Sequence, residues 1–169
     1  VQLAWQIHDE NGELLEVKNF IIKPEGYNIP FVSQKIHGIS TDRATKEGMP
    51  LDYVLKEFNE ALTKAEFVIG HNIEFDVNIA ACEYLRKEIA SPLQEMPTID
   101  TKDEATEWCA IPGGRGGKFK WPTLTELYTK LFQTGFDEAH NASADVEATT
   151  RAFLELIRIG VITAPRLGK

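Results

Sequence analysis

The first residues of the chain alternate between apolar and polar side chains, which is the pattern of a β-strand with one buried face. The apolar positions are Val1, Leu3, Trp5 and Ile7. Asn11-Gly12 predicts a tight turn, and residues 14–22 return as a second strand before Pro24. These features predict a β-hairpin. Because a hairpin needs a further neighbour to build a stable sheet, we expect an additional segment upstream of Val1.

Beyond the hairpin, the hydrophobic pattern indicates helices that alternate with short strands. Residues 36–41 read as a polar, glycine-bearing loop, and residues 51–64 carry an apolar stripe at helical spacing. The remaining segments are predicted as strands at 66–70 and 98–101, helices at 73–88, 101–109, 123–132 and 143–159, and a breaker-rich loop at 111–122. This order predicts an α/β fold with a mixed sheet and helices on its faces, in a single domain over residues 1–169 that is incomplete at its N-terminus.

Composition narrows the classes of function. The formal net charge of −8 argues against a protein that coats nucleic acid through broad electrostatic attraction, so any such contact must be local. The two cysteines, Cys82 and Cys109, show no disulfide spacing and no signal-like apolar segment is present, which favours a reducing, cytoplasmic setting. No apolar stretch approaches the roughly 20 residues that a membrane-spanning helix needs.

The segment Gly70-His71-Asn72 leads from a predicted strand into a predicted helix. We expect Asn72 to cap that helix through its side-chain oxygen and Phe75 to anchor the first turn in the core. Asp76 then lies one turn into the helix, where the helix dipole favours a negative charge. Taken alone, Asp76 is better explained as an ordinary carboxylate near a helix N-terminus.

A second acidic position precedes the last predicted helix. His140 falls on the incoming loop and Asp145 in the first turn, so the two side chains can share a site. A carboxylate suits hard divalent cations, and a histidine is suited to take a proton from water near neutral pH. The alternative is a surface histidine beside a helix-start carboxylate.

The loop at 111–122 combines positive charge with aromatic rings. Its residues Arg115, Lys118, Phe119, Lys120 and Trp121 could hold a single-stranded backbone and stack a base. The alternative is a mobile, solvated loop with Trp121 packed onto the core. The glycines at 113–117 lack the lysine and serine order of a phosphate-binding P-loop, which excludes nucleotide binding of that kind.

Three of these segments, in this order, resemble the DnaQ-like (DEDDh) 3′–5′ exonucleases. They are Ile36-His37-Gly38-Ile39-Ser40, the Gly-His-Asn-x-x-Phe-Asp stretch that ends at Asp76, and the His-x-x-x-x-Asp stretch from His140 to Asp145. The resemblance covers nearly the whole chain. Within the family, the chain is most similar to the proofreading exonuclease (epsilon) subunits or domains of bacterial DNA polymerase III.

The resemblance implies a ribonuclease H-like fold and phosphodiester hydrolysis with two divalent cations, Mg²⁺ or Mn²⁺, about 3.5–4 Å apart. It implies Asp145 as a ligand of the first metal, Asp76 as a ligand of the second and His140 as the general base. The substrate-binding residues it implies are His37, Gly38, His71, Asn72 and Phe75. The implied partners are the 3′ end of single-stranded DNA and subunits of DNA polymerase III.

The sequence departs from the family at its first motif, an Asp-x-Glu pair on a strand. Asp145 and Glu147 have this spacing but lie on a predicted helix, where residues two apart face different directions. Asp9-Glu10 falls at the hairpin tip and Asp103-Glu104 on a helix. We therefore expect these 169 residues to be inactive as they stand. An exoribonuclease of the same fold, and a catalytically dead module that binds nucleic acid or polymerase, remain alternatives.

Overall fold

The computed structural model describes residues 2–136 and 141–163. In these parts the chain forms four strands, eight helices and one 3₁₀ turn. In chain order these are β1 (Gln2–His8), β2 (Leu14–Ile21), α1 (Phe31–His37), α2 (Thr41–Glu47), α3 (Leu51–Leu62), β3 (Val68–Gly70), α4 (Ile73–Arg86), β4 (Thr98–Asp100), α5 (Thr101–Glu104), α6 (Thr106–Cys109), the 3₁₀ turn (Arg115–Gly117), α7 (Leu124–Phe132) and α8 (Ala142–Arg158).

The N-terminal hairpin is confirmed. β1 and β2 pair antiparallel, with Trp5 opposite Lys18, and the register shifts at the end of β1. The turn is organised by the Asp9 carboxylate, which accepts from the backbone N–H of Asn11 at 2.9 Å and of Glu13 at 2.8 Å. These hydrogen bonds fold a carboxylate-centred loop, so the two-residue turn predicted at Asn11-Gly12 is replaced by a longer one.

The second pair of strands is parallel. β3 pairs with β4 over three residues, with Gly70 opposite Asp100. Within the described residues β1 hydrogen-bonds only to β2 and β3 only to β4, so there are two small sheets where we predicted one. The mixture of antiparallel and parallel pairing is as predicted, and the outer edges of β1 and β3 have no strand partner among these residues.

Three hydrophobic clusters hold the helices on the strands. One forms between α3 and α4, around Leu55 and Tyr84, whose hydroxyl donates to the Leu55 carbonyl oxygen at 2.9 Å. Another joins α6, α7 and α8 around Leu127 and Leu156, both fully buried. The third lies around Ile39. α8 also crosses β1, which brings the last helix to the N-terminal hairpin.

Two predictions for the helical segments were wrong. The loop expected at 36–41 is the junction of two helices, since α1 ends at His37 and α2 begins at Thr41. α1 buries none of its residues and α2 only Ala44, so neither carries the apolar stripe on which the prediction depended. The single helix expected to run to Cys109 is broken at Ala105 into α5 and α6.

Candidate active site

The candidate site lies at the carboxyl ends of β3 and β4. Because these strands are parallel and Gly70 pairs with Asp100, the residues that follow both strands meet at one edge. In open α/β sheets ligands bind preferentially at such an edge. The chain after β3 turns directly into α4, which brings the first turn of that helix to the same place.

The turn between β3 and α4 depends on the residue types at its corner. A Cβ atom at Gly70 would lie 2.6 Å from Cδ1 of Ile73, so only glycine permits this close approach. Asn72 adopts the left-handed conformation, with φ 64° and ψ 43°. Asparagine tolerates this region better than most residues because its short side chain can hydrogen-bond locally. The Gly-His-Asn sequence therefore specifies a sharp strand-to-helix junction.

The carboxylate of Asp100 caps α4, which corrects the prediction that the Asn72 side chain does so. Asn72 occupies the N-cap position, but its side chain makes no capping hydrogen bond. Asp100 Oδ1 accepts from the Asn72 N–H at 2.8 Å, and Oδ2 accepts from the Ile73 N–H at 3.1 Å. Asp100 also accepts from the Lys102 N–H at 2.9 Å. One carboxylate thus joins the end of β4 to the start of α4.

His71 is held inside the protein by both ring nitrogens. Nδ1 lies 3.0 Å from the Thr101 hydroxyl and Nε2 lies 2.9 Å from the Pro122 carbonyl oxygen. A carbonyl oxygen only accepts, so Nε2 carries a hydrogen. Burial lowers the pKa of His71, against the opposing effects of the Pro122 carbonyl and the Asp100 charge. These contacts orient the junction, and the substrate-binding role predicted for His71 remains a prediction.

Asp76 has a raised pKa. Loss of hydration, together with the negative charges of Asp100 and Asp145, raises the pKa of this carboxyl from 3.8 to about 6. The residue is exposed, so solvent still reaches the carboxylate from one side. Concentrated negative charge of this kind is typical of functional sites.

Asp145 reaches the same site from α8. The helix begins after Asn141, whose side-chain oxygen accepts from the Ser143 N–H at 3.0 Å. The first turn is docked on β1, where Gln2 Oε1 accepts from the Ala142 N–H at 3.2 Å. Asp145 is half-buried, and its charge contributes to the raised pKa of Asp76. The structure therefore brings together two of the carboxylates singled out in the sequence, from helices 69 positions apart.

Glu147 lies two residues after Asp145 on α8 and contacts β1. Its carboxylate accepts from Gln6 Nε2 at 2.8 Å, which ties α8 to β1. The oxygen atom of the same Gln6 amide group accepts from the Thr150 hydroxyl at 3.1 Å. Glu147 is thus engaged with the hairpin, in agreement with our expectation that it does not replace the Asp-x-Glu pair.

The remaining predicted site residues are Phe75, His37, Gly38 and His140. Phe75 is 62% exposed, so the expectation that it anchors the first turn in the core was wrong. His37 ends α1, where Nδ1 accepts from the Ile39 N–H at 3.1 Å, and burial lowers its pKa. Gly38 follows with φ 71° and closes that helix. His140 lies outside the described residues.

Asp100 and Lys102 are the site residues that sequence reasoning missed. Lys102 Nζ donates to Asn72 Oδ1 at 3.1 Å and lies 4.3 Å from the ring centroid of Trp121. Trp121 itself is 64% exposed, so it is not packed onto the core. The only signal in the sequence is an aspartate directly after a short apolar run, and its meaning depends on which strand pairs with β4.

The donor set does not amount to a metal centre by itself. Among residues 2–136 and 141–163, no group of three or more His, Cys, Asp or Glu side chains is arranged to hold a metal ion. Asp76 and Asp145 carry carboxylate oxygens, the donors that hard cations prefer, and Asp100 accepts from backbone amides. The described residues thus do not form a complete cation site by themselves.

The fold is that of the ribonuclease H-like nucleases. The structure of E. coli exonuclease I in complex with a dA16 oligonucleotide superimposes with a TM-score of 0.71 at 21% identity, covering 94% of this chain and 36% of that chain. A zinc-bound form of the exonuclease I complex with single-stranded DNA gives a TM-score of 0.75 at 22% identity, with the same coverage. The predicted fold class is confirmed.

The chain belongs to the RNase_T exonuclease family, whose model matches residues 4–153. Among curated relatives, a PolC-type DNA polymerase III of Streptococcus thermophilus is 33% identical over 147 residues, which are 87% of this chain and 9% of the polymerase. The corresponding polymerase of Streptococcus pyogenes is 32% identical over 140 residues, or 83% of this chain and 9% of the polymerase. The chain therefore spans about a tenth of these relatives. None of the described helices has the length and apolar character needed to cross a bilayer.

Proposed function

We propose that the chain is a 3′–5′ exonuclease domain that hydrolyses phosphodiester bonds at single-stranded DNA ends. The observation that carries the proposal is the approach of Asp76 and Asp145, on different helices, at the carboxyl end of a parallel strand pair. The negative charge of Asp145 raises the pKa of Asp76, and a positively charged group is favoured beside such a pair of carboxylates. Membership of the exonuclease family supports this class of reaction.

The proposal extends to cations, to the general base and to the missing ligands. We infer that hydrolysis requires two divalent cations, Mg²⁺ or Mn²⁺, with Asp145 and Asp76 among their ligands. His140, five positions before Asp145, is the proposed general base, since its ordinary pKa suits proton transfer near neutral pH. The other ligands would come from an Asp-x-Glu pair on a strand beside β1 or β3, where a strand edge lacks a backbone partner among the described residues.

The similarity to PolC-type polymerases supports a role in replication proofreading or repair, in the cytoplasm and in company with DNA polymerase III subunits. The His37-Gly38 and Phe75 positions are proposed to contact the terminal nucleotide, together with Asn72 and His71. Phe75 is exposed beside Asp76, which is where a ring that contacts a substrate must lie.

Hydrolysis of a 5′-labelled single-stranded DNA oligonucleotide, with Mg²⁺ or Mn²⁺, tests the proposal. The chain as it stands is expected to leave the strand intact, and a longer chain with an upstream Asp-x-Glu strand is expected to shorten it from the 3′ end. In that longer chain, Asp76→Asn, Asp145→Asn and His140→Ala should each lower the rate at least about a hundredfold. Asp42→Asn, in the first turn of α2, is the matched control.

Two other candidate functions are decided by the same assay. A catalytically dead module that binds nucleic acid or polymerase is favoured by the lack of a three-ligand group among the described residues. It would bind single strands without shortening them even in the longer chain. An exoribonuclease would degrade an RNA oligonucleotide faster than DNA of the same sequence. Hydrolysis by the 169-residue chain alone would overturn the proposed need for the Asp-x-Glu pair.

A further inference from the structure

The loop between Ile111 and Pro122 is closed by its own backbone. The Lys120 N–H donates to the Ile111 carbonyl oxygen at 2.8 Å, which joins the two ends of the loop. Gly114 lies so close to the opposite side that a Cβ atom there would overlap the carbonyl oxygens of Lys118 and Phe119. The backbone of the loop is therefore held at its ends and across its middle.

Trp121 lies at the end of this loop and contacts Lys102. The Lys102 ammonium lies over the indole, 4.3 Å from the ring centroid. The side chain is nevertheless 64% exposed, so most of the ring remains accessible to solvent.

Two contacts tie the indole to the start of α4. Lys102 Nζ also donates to Asn72 Oδ1 at 3.1 Å, and the carbonyl oxygen of the next residue, Pro122, accepts from His71 Nε2 at 2.9 Å. Asp76 lies four residues beyond Asn72, which is about 6 Å along the helix axis. Trp121 thus lies near the start of α4, the helix whose first turn carries Asp76.

The charges of the loop suit a single strand of nucleic acid. Arg115 and Lys118 are exposed, whereas Lys120 is held by Glu126 at 2.6 Å. In a chain of net charge −8, Arg115 and Lys118 are thus two exposed cations on the loop that leads to Trp121, whereas Lys102 lies 3.9 Å from Asp100 and 3.5 Å from Asp103. Aromatic rings beside basic side chains are the usual means of holding a single strand without regard to its sequence.

We propose that Trp121 stacks on a base of the single strand that leads to Asp76 and Asp145, and that Arg115 and Lys118 contact its phosphates. This inference rests on the proposed function and adds to it the residue that holds the strand. Stacking on one aromatic ring contributes about 5- to 150-fold in affinity per base. The contact is with a base face, so DNA and RNA strands are both recognised in this way.

Binding to single-stranded DNA in EDTA tests the proposal without hydrolysis. The binding of the full chain to fluorescein-labelled oligo(dT) of about 15 nucleotides is measured by fluorescence anisotropy. Trp121→Leu is expected to weaken binding about tenfold or more, and Trp121→Phe to retain most of it. Tyr53→Leu, an aromatic side chain on α3 with 43% exposure, is the matched control and should bind as the unsubstituted chain does. An oligonucleotide of abasic sites should bind the unsubstituted chain and Trp121→Leu equally.

Tryptophan fluorescence supplies the second measurement. Oligo(dT) should quench the emission of the unsubstituted chain and protect it from acrylamide, while Trp121→Phe, which keeps Trp5 and Trp108, should show neither effect. This comparison decides the matter even if Trp121→Leu fails to fold. Equal binding by the unsubstituted chain and a folded Trp121→Leu would overturn the inference alone. Absence of saturable binding by the unsubstituted chain would contradict the proposed function and the inference together.

Discussion

Replacing Asp76 by asparagine should stabilise the metal-free protein at neutral pH. The pKa of Asp76 is raised from 3.8 to about 6, so folding takes up a proton at this position in the intervening pH range. The free energy of unfolding of the unsubstituted chain therefore falls as the pH rises through this window. Above pH 6 the ionised carboxylate is held against its neighbours, and the amide of Asn removes that repulsion.

The size of the stabilisation by Asp76→Asn follows from the increase in the pKa of Asp76. An increase from 3.8 to about 6 corresponds to about 3 kcal/mol as an upper bound, at about 1.4 kcal/mol per pH unit. Because solvent reaches the carboxylate and dissolved salt screens like charges, we expect about 1 kcal/mol. For a chain of this length that is an increase in Tm of about 2–4 °C.

Urea unfolding in EDTA, measured between about pH 4.5 and 7.5, checks the prediction. The excess stability of Asp76→Asn should be largest at the upper limit, shrink toward the lower limit, and decrease with added NaCl. Asp42→Asn, at the start of α2, should show no such trend. An Asp76→Asn protein that is less stable than the unsubstituted chain at pH 7.5, or equally shifted at every pH, would refute the reasoning.

Other substitutions test the supports of the site and the core. Asp100→Ala should lower the free energy of unfolding by about 2–4 kcal/mol, because it removes charge-assisted hydrogen bonds to the first amides of α4, and urea unfolding measures this loss. Thr101→Val should destabilise by about 1–3 kcal/mol in the same assay, since the buried hydroxyl bridges Gly70 and His71. A thiol reagent should modify the exposed Cys82 in the folded protein and reach Cys109 only on unfolding. The reason is that Cys109 is buried, and burial raises the pKa of its thiol. Simultaneous reaction of both cysteines would contradict the packing around α6.

Patterns confined to one segment of the sequence predicted most of the fold. The alternation before Asn11 predicted β1, in which Trp5 is the buried residue, and the stripe on residues 51–64 predicted α3, which buries one face. α1 was missed for the opposite reason. Its apolar side chains Phe31, Val32 and Ile36 are exposed, so no buried stripe marks it, and its bounds depend on Gly38 in the left-handed conformation.

The candidate site was predictable only where its chemistry is written in short motifs. Gly70-His71-Asn72 and the positions of Asp76 and Asp145 could be taken from the sequence, and the structure brings those two carboxylates together. The role of Asp100 could not be predicted in this way. It depends on the register of β3 with β4, which pairs Gly70 with a residue 30 positions later. Lys102 and Trp121 depend in turn on that same pairing.

Asp76, Asp100 and Asp145 have different neighbours in the candidate site, and their roles differ accordingly. Asp100 accepts from three backbone amides, so its negative charge is already compensated and it serves to hold α4 in place. Asp76 receives no comparable compensation, since burial and two neighbouring carboxylates raise its pKa. A cation bound there gains from both Asp76 and Asp145 and relieves their repulsion. We therefore propose this pair, and not Asp100, as the place where a divalent ion would bind.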